Sequence, residues 1–303
     1  MTTILETNSL TKAYGKFKAL DQVTVRLEQG EIYGLIGRNG AGKTTFMRLI
    51  AGLSFPTEGQ INLFGQTVGK RLGTNQKIGV MIENPAIIHH LTAKEVLRCF
   101  AKMKGLACND LQLNNLLTKV HLADTGKKKA HQFSLGMKQR LGIAIALLGD
   151  PTFLILDEPI NGLDPQGVVE IRELLRHLAA EGKTILLSSH NLPELYQVAT
   201  QYIILNQGQV VKQLSLQELE KQTRQYLRVA ANEPEHLAQV LSETAAIGNY
   251  EIDRNGEVKL FQIESKEELL KQLTARNVWP TTFVEQEESL ENYYFSLIGG
   301  QLR

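Results

Sequence analysis

The sequence predicts an α/β fold, a largely parallel sheet with crossover helices, followed by a second, smaller α+β domain. Three observations predict it. Two short, fully apolar runs, FLIL at 153–156 and TILLS at 184–188, flank a helical stretch at 168–181, which is how buried parallel strands joined by a crossover read. A third apolar strand, EIYGLI at 31–36, runs through the glycine-rich string Gly37-Arg38-Asn39-Gly40-Ala41-Gly42-Lys43-Thr44-Thr45 into a helical segment at 45–51. After about residue 219 the vocabulary changes to charged helical stretches alternating with short strands.

The remaining elements follow in order. Residues 4–10 and 22–28 alternate apolar and polar as half-buried strands do, and are expected to pair antiparallel. A short strand is expected at 59–64 and a buried one at 77–82. From Thr92 the pattern turns helical: Thr92-Ala93-Lys94-Glu95 is a capping box, and Val96, Leu97, Phe100 and Ala101 form an apolar stripe. Helical character continues with breaks to about 148, so a helical subdomain is expected at about 86–148. Residues 202–211 read as a hairpin turning at 206–208. Beyond a junction near 215–224, helices are expected at 234–243 and 265–275 and strands at 226–230, 258–263 and 279–284. The expected domains are therefore 1–218 and 219–303.

At 303 residues and 43% hydrophobic content the chain has ample material for packed cores. Lys and Arg number 33 against 32 Asp and Glu, a net charge of +1, which gives no footing for sequence-independent nucleic-acid binding. The one dense basic run, Lys127-Lys128-Lys129, reads as a solvated helix end. Cys99 and Cys108 have no metal-ligand spacing around them, which fits a reducing compartment. The first residues show no basic segment followed by an apolar core, and no apolar run approaches the roughly eighteen residues of a membrane span. A soluble, cytoplasmic protein is expected.

The string from Gly37 to Thr45 fits G-x-x-x-x-G-K-[ST] in a strand-to-helix setting. Its glycines turn the backbone so that successive N–H groups face an anion, with the positive end of the next helix behind them. Lys43 then reaches the β and γ phosphates of a nucleoside triphosphate, and the Thr44 hydroxyl serves Mg²⁺. Asp157 and Glu158 close the run at 153–156, placing two acids where open α/β sheets put their ligands. Asp157 is suited to hold Mg²⁺ through water, and Glu158 to act as general base on an attacking water. His190 closes the second apolar run; alone, it would more often be structural.

Taken as an ordered set, these motifs resemble the ATP-binding subunit of an ABC transporter over about residues 3–215. In that family an aromatic residue ahead of the phosphate loop stacks on adenine, and Tyr14 matches it. A signature segment precedes the acidic motif, here Phe133-Ser134-Leu135-Gly136-Met137. An aspartate loop follows, matched by Asn161-Gly162-Leu163-Asp164-Pro165, and then a switch histidine, matched by His190. The resemblance implies a P-loop NTPase fold of the ABC type: a RecA-like core, an antiparallel β subdomain and a helical subdomain, with the small C-terminal α+β domain appended. It also implies two nucleotide domains packed head to tail, as a homodimer or with a homologous ATPase subunit. Each ATP would lie between one chain's phosphate loop and the other's signature, Ser134 to Met137. Asp164 would communicate across the dimer, and His190 would hold the γ-phosphate and orient Glu158. Integral membrane permease subunits would be the partners, and the chain would sit peripherally on the inner face of the cell membrane.

Two departures stand out. The signature usually reads Leu-Ser-Gly-Gly-Gln, and here Leu135 and Met137 replace a glycine and the glutamine. Most of the family also has a glutamine at the position of Glu83. A carboxylate there remains an oxygen ligand for a hard cation, but adds negative charge near the γ-phosphate; without the motif, it would merely cap an exposed strand end. The substitution, the length and the extra domain resemble the subfamily that protects bacteria from lantibiotics and bacitracin-type peptide antibiotics. The rival expectations are a soluble ABC-type ATPase acting on the ribosome or DNA, an exporter of another cargo, and a P-loop kinase or GTPase. Ribosomal types typically carry two phosphate loops, repair types a long coiled coil, and kinases or GTPases lack the signature, aspartate loop and switch histidine.

Overall fold

The computed structural model describes residues 2–68, 77–83, 87–222, 225–243, 250–252, 256–261, 263, 265–287, 293–294 and 297. The chain divides into two compact units at Leu216 and Gln217.

The first unit opens with the hairpin β1 (Thr3–Tyr14) and β2 (Phe17–Glu28), longer than the sequence pattern suggests: pairing continues to Tyr14 and Phe17 at the turn, through register shifts that break the alternation of buried and exposed residues. Gly15, at φ 62°, takes the first turn position, where a left-handed backbone lets a two-residue connection match the strand twist. β3 (Ile32–Ile36) is buried along its whole length and leads into α1 (Lys43–Ile50), which starts two residues earlier than expected. β4 (Glu58–Leu63) and β5 (Gln66–Thr67) complete a four-stranded sheet in the order β2-β1-β4-β5. β6 (Ile78–Met81) is only half buried, less than its sequence predicts.

The helical segment begins with α2 (Ala93–Met103), and its capping box is formed: the Thr92 side chain accepts from the Glu95 N–H and Glu95 accepts from the Thr92 N–H. Val96, Leu97 and Ala101 of the predicted stripe are buried, whereas Phe100 is half buried at its edge. α3 (Asp110–Lys119), two 3₁₀ turns (Ala123–Thr125 and Ala130–Gln132) and α4 (Leu135–Ala146) follow. Lys127, Lys128 and Lys129 lie between those two turns, Lys129 as the N-cap of the second, and Lys129 pairs with Glu95.

β7 (Phe153–Leu156) and β8 (Thr184–Ser189) are completely buried, parallel and adjacent, joined by α5 (Pro165–Ala180). Continuous apolar sequence is what a strand covered on both faces requires. α6 (Leu192–Tyr196) precedes the antiparallel pair β9 (Gln201–Asn206) and β10 (Gln209–Ser215), whose turn has positive φ at Gln207 and Gly208. The six-stranded sheet runs β10-β9-β3-β8-β7-β6. Phe46, Met47, Leu49 and Ile50 of α1 pack into one apolar core with Leu35, Phe153, Ile155, Leu186 and Ile203 of the sheet, fixing the helix against the strand ends.

α7 (Leu216–Gln222) starts at the division; residues 223 and 224 of the expected junction lie outside the described residues. The second unit contains β11 (Gln225–Ala231), α8 (Pro234–Ser242), β12 (Tyr250–Ile252), β13 (Val258–Leu260), α9 (Lys266–Ala275) and β14 (Pro280–Glu287). Its antiparallel sheet has the order β12-β13-β11-β14, the ferredoxin-like βαββαβ arrangement. The three-residue β12 has no counterpart among the expected strands. Leu227, Val229, Leu237, Leu241, Val258, Leu260, Leu269 and Leu273 form the unit's own core.

Candidate functional site

The site is built where β3, β7 and β8 end side by side. Between β3 and α1 the backbone has no room for side chains at two positions. A Cβ at Gly37 would stand 2.5 Å from the Leu205 carbonyl oxygen, and one at Gly42 would stand 2.5 Å from the Ala19 carbonyl oxygen. Gly42 also takes φ 107° as the residue that starts α1. The turn therefore holds a helix N-terminus, with its unpaired N–H groups, open toward the cleft. Lys43 is 7% exposed, and its Nζ donates to the Gly37 carbonyl at 2.7 Å while standing 3.8 Å from Glu158 Oε1.

The acidic pair arrives on β7. Asp157 is buried, and each of its oxygens accepts a hydroxyl: Thr44 Oγ1 donates to Oδ2 at 2.9 Å and Ser188 Oγ donates to Oδ1 at 2.5 Å. Glu158 sits at φ 49°, a left-handed conformation uncommon for a residue with a side chain. Its N–H donates to Ser188 Oγ at 2.9 Å, and its Oε2 lies 3.0 Å from Nδ1 of His190. Glu194, at the start of α6, is pushed above the usual carboxylate range chiefly by burial; the charge of Glu158 adds to this and His190 opposes it.

Tyr14, Arg38, Asn39, Gly40, Gly42, Lys43, Thr44, Thr45, Glu158 and His190 line one cleft of about 510 Å³, together with Phe17, Ala19 and Asn161. Ala41, a member of the same loop, is buried behind it. Phe17 has no role in the sequence motifs, and Asn161 enters them as the first residue of the aspartate-loop match. Tyr14 and Phe17 are cross-strand partners on either side of the β1–β2 turn, 53% and 64% exposed, so the hairpin presents two rings at the cleft mouth. A larger surface cavity of about 670 Å³ lies against α3 and α5, away from these groups.

The signature residues and Asp164 are not among those lining the cleft. Ser134 caps α4, its Oγ accepting from the Met137 N–H at 3.2 Å. Leu135 is 47% exposed, and its side chain lies close to Gly162. Asp164 caps α5, Oδ1 accepting from the Gly167 N–H at 3.1 Å. Glu83 also stands apart from the cleft lining: it follows β6 at φ 64°, is 60% exposed, and pairs with Arg48 of α1 at 2.5 Å. Asn84 and Pro85, which complete the motif around it, lie outside the described residues. Among the described residues no group of three or more His, Cys, Asp or Glu is arranged to hold a metal ion. Thr44 of the phosphate loop and Asp157 bring two hard oxygen donors within a hydrogen bond of each other, with Glu158 beside Lys43.

A phosphate cradle whose lysine and threonine meet the acid-bearing end of another parallel strand of the same sheet defines a nucleotide-hydrolysing P-loop protein. The family model described as ABC transporter matches residues 20–161. The chain is 39% identical to the bacitracin transport ATP-binding protein BcrA of Bacillus licheniformis, covering 99% of each chain. It is 41% identical to the lantibiotic transport ATP-binding protein SrtF of Streptococcus pyogenes, over 69% of this chain and 89% of that one. Among solved structures it is similar to the dimeric post-hydrolysis state of an ATP-binding cassette bound to ADP and Pi, with 26% identity, a TM-score of 0.64, and coverage of 70% of this chain and 99% of the other. The chain belongs to the family of ABC transporter ATP-binding proteins, and it is an ATPase whose hydrolysis powers transport.

Proposed function

We propose that this chain energises a membrane exporter of peptide antibiotics, of the bacitracin or lantibiotic kind, working as a dimer or beside a homologous ATPase subunit on integral membrane permease subunits. The observation that carries the catalytic part is the Glu158 carboxylate held 3.0 Å from His190 and 3.8 Å from Lys43 in the cleft that the phosphate loop opens. The cargo is inferred from full-length similarity to bacitracin transport ATP-binding proteins. Among the described residues no helix is long and apolar enough to cross a membrane, which fits a peripheral place on the inner face of the cell membrane. The near-neutral charge supports no role for nucleic acid.

In this reading Tyr14 stacks on adenine. The N–H groups from Gly37 to Thr45 surround the phosphates, and Lys43 exchanges the Gly37 carbonyl for phosphate oxygens. Thr44 and Asp157, already 2.9 Å apart, are the residues suited to Mg²⁺, which would supply charge neutralisation at the phosphates when bound. Glu158 accepts the proton of the attacking water, and His190 orients it. Ser134, Leu135, Gly136 and Met137 meet the ATP of the partner subunit, Asp164 reports across that interface, and Glu83 serves as an acidic variant of the metal-contacting glutamine. Residues 219–303 form an accessory domain.

The test is to express the chain with the membrane protein that co-purifies with it and measure survival against bacitracin and a lantibiotic. Protection that disappears in Lys43→Ala is expected. Recovery with ribosomes in place of a membrane protein, or survival unchanged by Lys43→Ala, contradicts the proposal.

A further inference from the structure

Ser188 belongs to none of the sequence motifs named above, yet it touches two of the residues at the site. It lies inside β8 and is fully buried. The pairing of β7 with β8 runs through Leu156 and Leu187, which brings the residues that follow them side by side. There the Ser188 hydroxyl gives its one hydrogen to Asp157 Oδ1 at 2.5 Å and receives the Glu158 N–H at 2.9 Å. A hydroxyl has one donor and two acceptor sites, so its donor and an acceptor are both committed to the consecutive acids that follow the next strand, β7.

The geometry gives those two bonds separate consequences. Asp157 is held from opposite oxygens, by Ser188 at Oδ1 and by Thr44 at Oδ2. If Thr44 turns to another partner, Ser188 still fixes the carboxylate. The second bond acts on Glu158, whose left-handed φ of 49° persists only where its surroundings hold it. Anchoring its N–H sets the direction of its side chain. His190, two residues on, directly follows the end of β8, and its ring meets the carboxylate of Glu158.

We propose that Ser188 is a positioning residue for ATP hydrolysis: one buried hydroxyl fixes Asp157 as an oxygen donor and Glu158 as base in a single frame. The proposal rests on the roles assigned above to Asp157 and Glu158. It is not a claim of contact with nucleotide, and it therefore predicts an effect on turnover rather than on nucleotide affinity.

The experiment compares Ser188→Ala, Ser188→Thr and Ser188→Cys with wild type, reading kcat and KM for ATP, and reads the Mg²⁺ dependence of ATP binding in the hydrolysis-impaired Glu158→Gln background. Loss of the hydroxyl in Ser188→Ala is expected to lower kcat by about tenfold or more with KM within about threefold, since small misplacement of a catalytic group costs this much. In the Glu158→Gln background it should also raise the Mg²⁺ concentration needed for half-maximal ATP binding. Ser188→Thr, which keeps the hydroxyl, should recover most of kcat, and Ser188→Cys, a weaker donor of similar size, should fall between. Should Ser188→Ala not fold, the Thr and Cys variants decide. Equal kcat in wild type, Ala and Cys, or equal impairment in Thr and Ala, overturns the proposal. Wild-type turnover in Glu158→Gln would instead overturn the assignment of the base.

Discussion

Two neighbouring strands of the parallel sheet, β6 and β7, each end in an acid, and the two acids live in opposite surroundings. At the end of β7, Asp157 is buried and held by two hydroxyls, and Glu158 is tied at both its N–H and its carboxylate. At the end of β6, Glu83 is 60% exposed and, among the described residues, pairs with Arg48, itself 43% exposed. Both glutamates have positive φ, 49° and 64°. Backbone conformation therefore does not separate them; burial does, Glu158 being 24% and Glu83 60% exposed. A carboxylate fixed at several points is preorganised for chemistry. An exposed ion pair is worth about 0–1 kcal/mol and is readily exchanged for another partner. The end of β7 is built as a rigid platform, and the end of β6 as a contact that can change hands.

The largest expected effect lies on the rigid side. Asp157→Asn removes the charge that both hydroxyls address, and phosphate release should fall by about a hundredfold or more, given the several kcal/mol that electrostatic stabilisation contributes to such reactions. A loss of less than about fivefold would show that the platform is not needed. On the exposed side, Glu83→Gln and Glu83→Ala should change ATPase rate by less than about tenfold and unfolding free energy by less than about 1 kcal/mol, read by denaturant titration. Turnover and peptide-antibiotic survival identical to wild type in both variants would remove Glu83 from the functional site altogether.

Smaller effects test the helix ends that carry the signature and the aspartate loop. Asp164→Ala deletes the cap of α5 and should cost about 1 kcal/mol of stability, measurable as a lowered Tm. A Tm equal to wild type would free Asp164 of its structural duty. Glu95 sharpens the comparison through pH. The Thr92 N–H and hydroxyl, with Lys129, hold its carboxyl down at about 2 from an ordinary 4.5. Its folded form thus prefers the charged state, and the stability it contributes is present above the unfolded value and lost as pH falls from about 4.5 through about 2. The Tm difference between wild type and Glu95→Ala should narrow over that interval; a constant difference would mean that the cap does not depend on the charge.

The parts of this molecule that were legible in the sequence share a physical cause. β3, β7 and β8 are readable because a parallel strand covered on both faces needs a run of apolar residues through its middle, and the turn at Gly37 to Gly42 because backbone carbonyls leave no space for a side chain at Gly37 and Gly42. The capping box at Thr92 is local and was read directly. What escaped is non-local or short. Ser188 meets Asp157 across 31 residues, and a serine in an apolar strand gives only the weak signal of being the polar exception. Arg48 meets Glu83 across 35 residues, and nothing near either one announces the other. Ser134 is expected to meet the ATP of a second subunit, and its hydroxyl also caps its own helix, which the motif does not announce. β12 is too short, at three residues, for any alternation to show.

Parallel measurement of ATP turnover and ATP binding in Glu158→Gln and Glu83→Gln tests the contrast between the two strand ends most directly. The account predicts at least about a hundredfold loss of turnover with binding retained for Glu158→Gln, the usual contribution of a general base, and less than about tenfold for Glu83→Gln. Near-normal turnover in Glu158→Gln, or a larger loss in Glu83→Gln than in Glu158→Gln, would contradict it.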